Sequence, residues 1–323
     1  MGATNYLVEE KKMDKRIITA AITGSINTPT MSPFLPITPD QIVDEAVRAY
    51  EAGATVAHIH ARDPQTGQPS ADVSLYQEIA GKIKSKCKII LCITTGAGSG
   101  KPGVWMTTEQ RLKTIPILKP ELASLNFGSL NFGLFHTLDK YKEFKFPWEK
   151  EYLAMTEDLI LPNTFKALRE FIQIFQENKT QPEVEVYDIG MINNLAFMIQ
   201  RGLMKSPIYI QFVMGVLGGI PPSPDNLLFM YNTAKKLIGD FTWSVCTAGR
   251  DQFNMGTMSL IMGGNARVGL EDNLYLDRGV KAKSNAEQVE KIIRIARELG
   301  IEPATPDEAR KILGLKGLDK VAY

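Results

Sequence analysis

Two of the chain's three histidines, His58 and His60, stand two residues apart at the end of an apolar run that begins at Thr55. In an extended strand, side chains two residues apart lie on one face and are separated by roughly 6.6 Å. Neutral imidazole is a common zinc ligand, and a catalytic zinc usually has three protein ligands and one position open to water or substrate. We therefore predict a metal site to which this strand contributes two ligands. The alternative is that both histidines only pack, which is the ordinary role of a single histidine.

The third ligand must come from another part of the chain. His136 lies in a polar stretch and is predicted to be on the surface. A later apolar run ends in an arginine and two adjacent carboxylates, Arg267, Glu271 and Asp272. Glu271 is a candidate third ligand, Asp272 a candidate general base, and Arg267 a candidate partner for Asp272 or for a substrate carboxylate. Such an acidic pair also occurs at helix starts without any catalytic role.

Two other acidic residues compete with Glu271 for the third ligand position. Glu185 and Asp188 belong to the run Glu-Val-Glu-Val-Tyr-Asp, and charged residues inside a strand are unusual. Glu185 is equally suited to pair with a lysine or an arginine. The residues alone therefore leave the third ligand open between these positions and Glu271.

Polar residues at the ends of two more runs are candidates for substrate contacts. Thr94 and Ala97 belong to a loop of small hydroxyl residues and glycines, whose backbone N–H groups are suited to bind a carboxylate. Ser124 and Asn126 are two residues apart, so in a strand they lie on one face. Together they predict a polar side of a cavity next to the metal.

Short apolar or β-branched runs and helical patterns alternate along almost the whole chain. The runs span residues 17–23, 55–60, 88–95, 122–127, 183–188, 208–213, 241–247 and 265–269. The helical patterns span residues 39–52, 72–85, 107–117, 164–178, 190–202, 223–238, 251–261 and 284–299. Eight strands, each followed by a helix, predict an α/β fold of the single (β/α)8 TIM barrel type. Active sites of that fold lie at the C-terminal ends of the strands, where His58 and His60 fall.

The remaining segments are expected to be additions to one barrel. Residues 1–14 are charged and predicted to form a flexible N-terminal arm, and residues 15–323 the catalytic domain. Residues 128–163 form a long loop after the fourth strand, so rich in aromatic residues that it is expected to pack on the barrel or on a neighbouring subunit. Residues 304–313 predict one extra C-terminal helix.

Composition narrows the range of partners and compartments. The 37 basic and 36 acidic residues nearly cancel, so nothing favours nucleic acid or an anionic membrane surface. No apolar run approaches the roughly 18 residues of a membrane span. The three cysteines show no paired spacing, which is typical of reduced thiols in a cytoplasmic protein. A small molecule is the expected partner.

Five segments, in order, resemble motifs of the β-keto acid cleavage enzyme family. They span residues 18–24, 58–64, 93–96, 123–129 and 268–272. The resemblance implies a zinc enzyme on a (β/α)8 barrel, with one Zn2+ per subunit, that converts a β-keto acid and acetyl-CoA into acetoacetate and a new acyl-CoA. It also implies a homo-oligomer, with a tetramer favoured.

Residue roles follow from the same resemblance. The matching positions are His58, His60 and Glu271 as zinc ligands, Asp272 as the catalytic base and Arg267 as its support. A departure concerns the tail of the substrate. In family members that act on an amino-substituted keto acid, the matching position looks like a carboxylate that pairs with the ammonium group of the substrate. In this chain that position is Ile26. We therefore expect an uncharged or apolar acyl tail, with substrate contacts at Thr94, Ala97, Ser124 and Asn126.

Two other functions remain possible from the residues. Metal-dependent barrel hydrolases also have a His-x-His pair at the end of a strand. Those enzymes usually need further histidines on later strands, and the only other histidine in this sequence is His136. The other is a non-catalytic barrel that binds a small molecule or a structural ion. Structural zinc sites are closed by four protein ligands, often cysteines, and no cysteine is near the histidine pair in sequence.

Overall fold

Eight parallel strands form a closed barrel in the computed structural model, which describes residues 14–96 and 106–323. Neighbouring strands follow chain order around the barrel, and the last strand pairs with the first. The strands are β1 Ile18–Ala21, β2 Val56–Ile59, β3 Ile90–Ile93, β4 Leu122–Asn126, β5 Gln181–Val186, β6 Tyr209–Met214, β7 Thr242–Thr247 and β8 Asn265–Val268. All eight predicted strands are confirmed, and so is the (β/α)8 fold.

Helices follow the strands and surround the barrel. They are α1 Pro39–Glu51, α2 Val73–Lys86, α3 Thr108–Leu112, α4 Thr114–Leu118, α5 Pro147–Ala154, α6 Phe165–Glu177, α7 Ile189–Gln200, α8 Pro224–Ile238, α9 Gln252–Ile261, α10 Asn285–Glu298 and α11 Pro306–Leu313. Hydroxyl caps begin several of them: the side chains of Thr38, Ser223 and Ser284 each accept a hydrogen bond from a backbone N–H in the first turn.

One predicted helix is wrong in its extent. Residues 107–117 were expected to form one helix, but the structure contains two five-residue helices, α3 and α4, with a break at Lys113. Pro116 has no N–H to donate to the carbonyl of Leu112, the bond that a continuous helix needs there. The first helix therefore ends with a hydrogen bond that spans three residues instead of four, from Lys113 N to Gln110 O, at 3.4 Å.

The two ends of the barrel differ. At the N-terminal end, buried side chains from the beginnings of the strands, including Ile17, Val56 and Ile90, pack against Ala309 and Leu313 of α11. The extra C-terminal helix thus closes this end. The polar residues that the sequence singled out lie toward the opposite end, where β2, β4 and β8 finish, as expected for this fold.

The long connection after β4 packs on the open end of the barrel, in agreement with its aromatic composition. Tyr152, on α5, is buried and its hydroxyl donates to Ser25 O at 3.1 Å. Trp148 Nε1 donates to Thr66 O at 3.1 Å. These contacts fix the connection against the loops that follow β1 and β2, so it forms one wall above the site.

The N-terminal segment is described only from Asp14. Residues 14–16 pair in parallel with Ile301–Pro303 beside the barrel, while residues 1–13 of the predicted arm lie outside the described residues. Within residues 14–96 and 106–323, no helix is long and apolar enough to cross a membrane.

Candidate active site

His58, His60 and Glu271 meet at the C-terminal end of the barrel. His58 is the third residue of β2, His60 follows that strand, and Glu271 comes three residues after β8. The Nε2 atoms of the histidines are 3.2 Å apart, and Glu271 Oε1 lies 3.6 Å from His58 Nε2 and 3.4 Å from His60 Nε2. All three side chains are buried.

This triangle fits a zinc ion. Ligand atoms bound to one tetrahedral zinc at 2.0 to 2.1 Å lie about 3.3 to 3.4 Å from one another, and the three distances here fall around that value. The donor set, two imidazoles and one carboxylate, is one that catalytic zinc uses. The second carboxylate oxygen, Glu271 Oε2, is buried and has no hydrogen-bond partner among residues 14–96 and 106–323, as expected for a group that serves as a ligand.

Electrostatics favour the forms of these side chains that bind a metal. Burial lowers the pKa of His58 well below its usual value, so the imidazole is neutral near pH 7. Burial alone would raise the pKa of Glu271, but the charge of Arg267, followed by the two histidines, holds that pKa well below its usual value. The site therefore offers a neutral imidazole and an ionised carboxylate.

Arg267, at the centre of β8, organises the acidic residues. Its Nε and Nη2 donate to the two oxygens of Asp272 at 2.8 and 2.9 Å, and Nη2 also donates to Glu271 Oε1 at 2.8 Å. Nη1 donates to Gln211 Oε1 at 3.2 Å and lies 3.6 Å from Glu185 Oε1. Burial raises the pKa of Asp272 against the opposing charge of Arg267. Asp272 is thus fixed beside the metal triangle as a carboxylate with increased affinity for a proton.

The loop after β1 holds Glu271 in place. Asn27 Nδ2 donates to the carbonyls of Leu270 and Glu271 at 2.7 and 2.9 Å. Gly24 has a positive φ of 58°, and a Cβ at this position would overlap the side chain of Glu271. Only glycine therefore lets the loop lie this close to the metal triangle.

Arg62 also holds the loop after β1 in place, through hydrogen bonds. It is 1% exposed, and its guanidinium donates to Thr23 Oγ1 and to the backbone carbonyls of Thr23, Asn27 and Gly67 at 2.7 to 2.9 Å. Burial lowers its pKa to about 10, so it is charged near pH 7. Arg62 falls within residues 58–64, one of the segments that resemble family motifs, and its role depends on backbone carbonyls that no sequence pattern reveals.

A cavity opens above the metal triangle. Thr94, Ser124 and Asn126 line it together with His58, His60, Arg267, Glu271 and Asp272. Ile26 also lines it, and much of the remaining wall is apolar: Phe132, Leu134, Met155, Leu159 and Val216. Ala97 lies outside the described residues.

The competing ligand candidates have other partners. Asp188 accepts a hydrogen bond from Met191 N at 3.0 Å and caps α7, so the structure does not bring it to the histidines. Glu185 accepts from Asn126 Nδ2 at 2.8 Å and faces Arg267. His136 is exposed, as predicted.

Tyr187 is one of the cavity residues that the sequence patterns did not identify. Asn126 Nδ2 also donates to the hydroxyl of Tyr187 at 2.8 Å, and Tyr187 lines the cavity. Tyr187 stands two residues after Glu185, and side chains alternate along a strand. This spacing could have predicted that both side chains face the inside of the barrel.

Known proteins resemble the chain over most of its length. A family profile described as "beta-keto acid cleavage enzyme" matches residues 15–315. The chain is 45% identical, over 304 residues, to the 3,5-dioxohexanoate:acetyl-CoA acetone transferase of Paraburkholderia graminis, which covers 94% of this chain and 96% of that protein. It is 38% identical to the 3-keto-5-aminohexanoate cleavage enzyme of Acetoanaerobium sticklandii, over 94% of this chain and 99% of that protein.

Solved structures support the fold. The apo structure of ObcA superposes with a TM-score of 0.68 at 22% identity, over 88% of this chain and 66% of that chain. At this level of identity the similarity concerns the barrel and not the chemistry.

Proposed function

Because the chain belongs to the β-keto acid cleavage enzyme family, we propose that it is a zinc-dependent enzyme that transfers CoA from acetyl-CoA to the acyl part of a β-keto acid. The products are acetoacetate and a new acyl-CoA. The relatives named above are a 3,5-dioxohexanoate:acetyl-CoA acetone transferase and a 3-keto-5-aminohexanoate cleavage enzyme, and both names describe chemistry on a β-keto acid.

One observation carries the zinc dependence: the ligand atoms of His58, His60 and Glu271 lie 3.2 to 3.6 Å from one another at the floor of the cavity. Zinc held by these three side chains would supply a Lewis acid that stabilises enolate charge on the substrate. The cavity lies above the triangle, so a substrate in the cavity would lie next to the metal.

The chain's own residues supply the proton transfers. Asp272 takes the proton from C2 of the keto acid, and the resulting carbanion attacks the acetyl carbonyl and releases CoA as a thiolate. The thiolate then attacks the original keto carbon, the C2–C3 bond breaks, and Asp272 returns its proton to the carbon that leaves as acetoacetate. Arg267 holds Asp272 through two hydrogen bonds and so fixes its distance from C2.

The wall of the cavity supports an uncharged tail on the keto acid. Ile26, Phe132 and Leu134 line it, and no carboxylate stands at position 26 to pair with an ammonium group. Thr94, Ser124 and Asn126 supply polar groups on the lining, and we assign them to contacts with the substrate's carboxylate end.

We also propose a homo-oligomer, for which a tetramer is favoured, in the cytoplasm. Large apolar side chains on α6, α7 and α8 are exposed: Phe165, Phe197, Leu228 and Phe229. Phe165 and Phe197 are in edge contact, with ring centroids 5.9 Å apart, so they form one surface suited to a contact between subunits. Three free thiols agree with a reducing compartment. Light scattering tests the assembly.

An isotope experiment tests the reaction. Zinc-loaded protein is incubated with a panel of β-keto acids and with acetyl-CoA labelled with 13C in both acetyl carbons, and the products are followed by mass spectrometry. We expect both labels in acetoacetate and none in the new acyl-CoA. The variant His58→Ala should be inactive, and His136→Ala, which replaces the exposed histidine, should be active.

Two results would contradict the proposal. Cleavage of the keto acid without consumption of acetyl-CoA would indicate a metal-dependent hydrolase. Binding of the keto acid without turnover, under conditions in which the protein contains zinc, would indicate a non-catalytic barrel.

A further inference from the structure

A second group of buried polar side chains lies inside the barrel, one layer below the metal triangle. Glu183, on β5, is fully buried, and its Oε2 accepts a hydrogen bond from the thiol of Cys92, on β3, at 3.4 Å. Cys92 stands beside His58 in the register of β2 and β3. Ligand atoms of His58, Cys92 and Glu183 lie within 4.8 Å of one another. The proposed reaction uses neither Glu183 nor Cys92.

Among the described residues, two buried atoms in this layer, His58 Nδ1 and Glu183 Oε1, have no hydrogen-bond partner. The hydroxyl of Tyr209 lies beside them, within hydrogen-bonding reach of Glu183 and Thr19. Buried polar groups almost always have a partner, and each unsatisfied one costs about 1 to 3 kcal/mol. A partner shared by His58 Nδ1 and Glu183 Oε1 would satisfy both atoms.

A water molecule is the candidate for this shared partner. Two hydrogen bonds of about 2.8 Å that meet at one water span about 4.5 Å, and ligand atoms of His58 and Glu183 are separated by no more than 4.8 Å. Buried waters typically have two to four polar partners. The layer offers a donor, His58 Nδ1–H, an acceptor, Glu183 Oε1, and two hydroxyl groups.

The orientation of His58 depends on the same atoms. Its Nε2 faces His60 and Glu271, so this nitrogen must carry the lone pair in order to bind a metal, and the proton must be on Nδ1. Metal-binding histidines usually donate that other N–H to a carboxylate, a carbonyl or a water, which fixes the tautomer and raises the basicity of the ligand nitrogen. Among the described residues, Nδ1 has no protein partner.

We propose that Glu183 is a positioning residue for the metal site, and that it accepts the Nδ1–H proton of His58 through one ordered water held with Thr19 and Tyr209. The inference rests on the proposed function in that it takes the triangle to be a zinc site. Cys92 completes the arrangement, because its thiol donates to the other oxygen of Glu183 and so turns Oε1 toward the water.

A second metal ion bound by His58, Cys92 and Glu183 is the alternative. In the hydrogen-bonded arrangement the Cys92 thiol donates its proton to Glu183 Oε2 at 3.4 Å, and this is the proton that a metal ligand must lose. A hydrogen-bonded layer is therefore favoured over a metal site.

Two measurements test the proposal without any substrate. The first is 15N NMR of the histidine side chains in the metal-free wild-type protein, for which we expect His58 to be the Nδ1–H tautomer. The second is zinc affinity by competition with a chelator. We expect Glu183→Gln, which keeps the shape but removes the charge, to weaken zinc binding about tenfold, the lower end of the usual 10- to 100-fold effect.

Glu121→Gln is the matched control. Glu121 is also fully buried, but it pairs with Arg310 at the closed end of the barrel. The variant Glu121→Gln should lower the free energy of unfolding and leave zinc affinity unchanged. It therefore separates a loss of stability from a loss of metal positioning. Should Glu183→Gln fail to fold, the tautomer of wild-type His58 still decides.

Three outcomes would overturn the proposal: an Nε2–H tautomer of His58 in the metal-free wild-type protein, zinc affinity of Glu183→Gln within twofold of wild type, or two zinc ions per chain of which Glu183→Gln loses one. Failure of the proposed function looks different, since it appears as an absence of acyl-CoA formation by the zinc-loaded wild-type protein.

Discussion

Arg267 holds Asp272 by two hydrogen bonds, from Nε to Oδ2 at 2.8 Å and from Nη2 to Oδ1 at 2.9 Å. The same Nη2 donates to Glu271 Oε1 at 2.8 Å. One guanidinium thus fixes two adjacent carboxylates in different roles: Glu271 faces the two histidines, and Asp272 is kept from turning onto the metal. A carboxylate bound to the metal would lose basicity, so this separation is what allows Asp272 to act as a base.

Asp272→Asn should therefore remove activity and leave the metal site intact. A positioned general base contributes about 10^2- to 10^4-fold to a rate, and we expect kcat to fall by that factor while zinc stays at one ion per chain, as measured by elemental analysis. Asp188→Asn is the control, because Asp188 only caps α7 and asparagine caps equally well. Loss of zinc from Asp272→Asn would instead make Asp272 a ligand.

Gly24→Ala should disturb the metal site through a single methyl group. The new Cβ would overlap the side chain of Glu271, so Glu271 must move, and we expect zinc affinity to fall at least tenfold. Gly202→Ala is a matched control, since Gly202 also has a positive φ, 71°, but has open space around it. It should cost only the backbone strain of about 1 to 2 kcal/mol. Equal zinc affinity of the two variants would contradict this account of Gly24.

The strands were predictable because their signal is local. Each parallel strand of a barrel is buried on both faces and gives a nearly continuous apolar run, so all eight were found, and the two-residue spacing of His58 and His60 identified the metal strand. Pro116 shows the limit of such patterns: the helical period continues through residues 107–117, while one missing N–H divides the helix.

The missed residues depend on contacts across the barrel. Glu183 and Tyr187 alternate with Glu185 on β5, so their inward direction could be predicted from the sequence. Their partners could not, because the stagger of the strands decides which side chains meet, such as Cys92 with Glu183 over 91 residues of chain. Arg62 was missed for a related reason, since three of its four hydrogen bonds go to backbone carbonyls.

Ile26→Glu should change the substrate preference. A carboxylate on this cavity wall would pair with an ammonium group on the substrate tail, and a charge-assisted hydrogen bond there is worth about 1.4 kcal/mol or more. We expect kcat/KM for 3-keto-5-aminohexanoate, relative to an uncharged β-keto acid of equal length, to rise at least tenfold. Ile26→Gln, which has the same shape without the charge, should not produce this change. An unchanged ratio in Ile26→Glu would show that the substrate tail does not reach position 26.

Glu185 should make the stability of the metal-free protein depend on pH. Burial raises its pKa from 4.5 to about 8, with the charge of Arg267 opposing the shift. Because the pKa in the folded state is above that in the unfolded state, the folded state retains a proton that the unfolded state has released between these values. The stabilisation from this proton is complete below about pH 4.5 and is lost as pH rises through 8.

Urea unfolding of the metal-free wild-type protein and of Glu185→Gln measures this contribution, since glutamine keeps an acceptor for Asn126 Nδ2 and cannot titrate. The free energy of unfolding of the wild type, minus that of the variant, should fall between pH 5 and pH 8 by up to about 1.4 kcal/mol per pH unit and level off above pH 8. Glu298→Gln, on the exposed end of α10, controls for the loss of one negative charge. Metal-free protein is required because zinc binding has its own pH dependence. If the difference in the free energy of unfolding does not change from pH 5 to pH 9, Glu185 is ionised over this whole range. The charge of Arg267 would then lower the pKa of Glu185 by more than burial raises it.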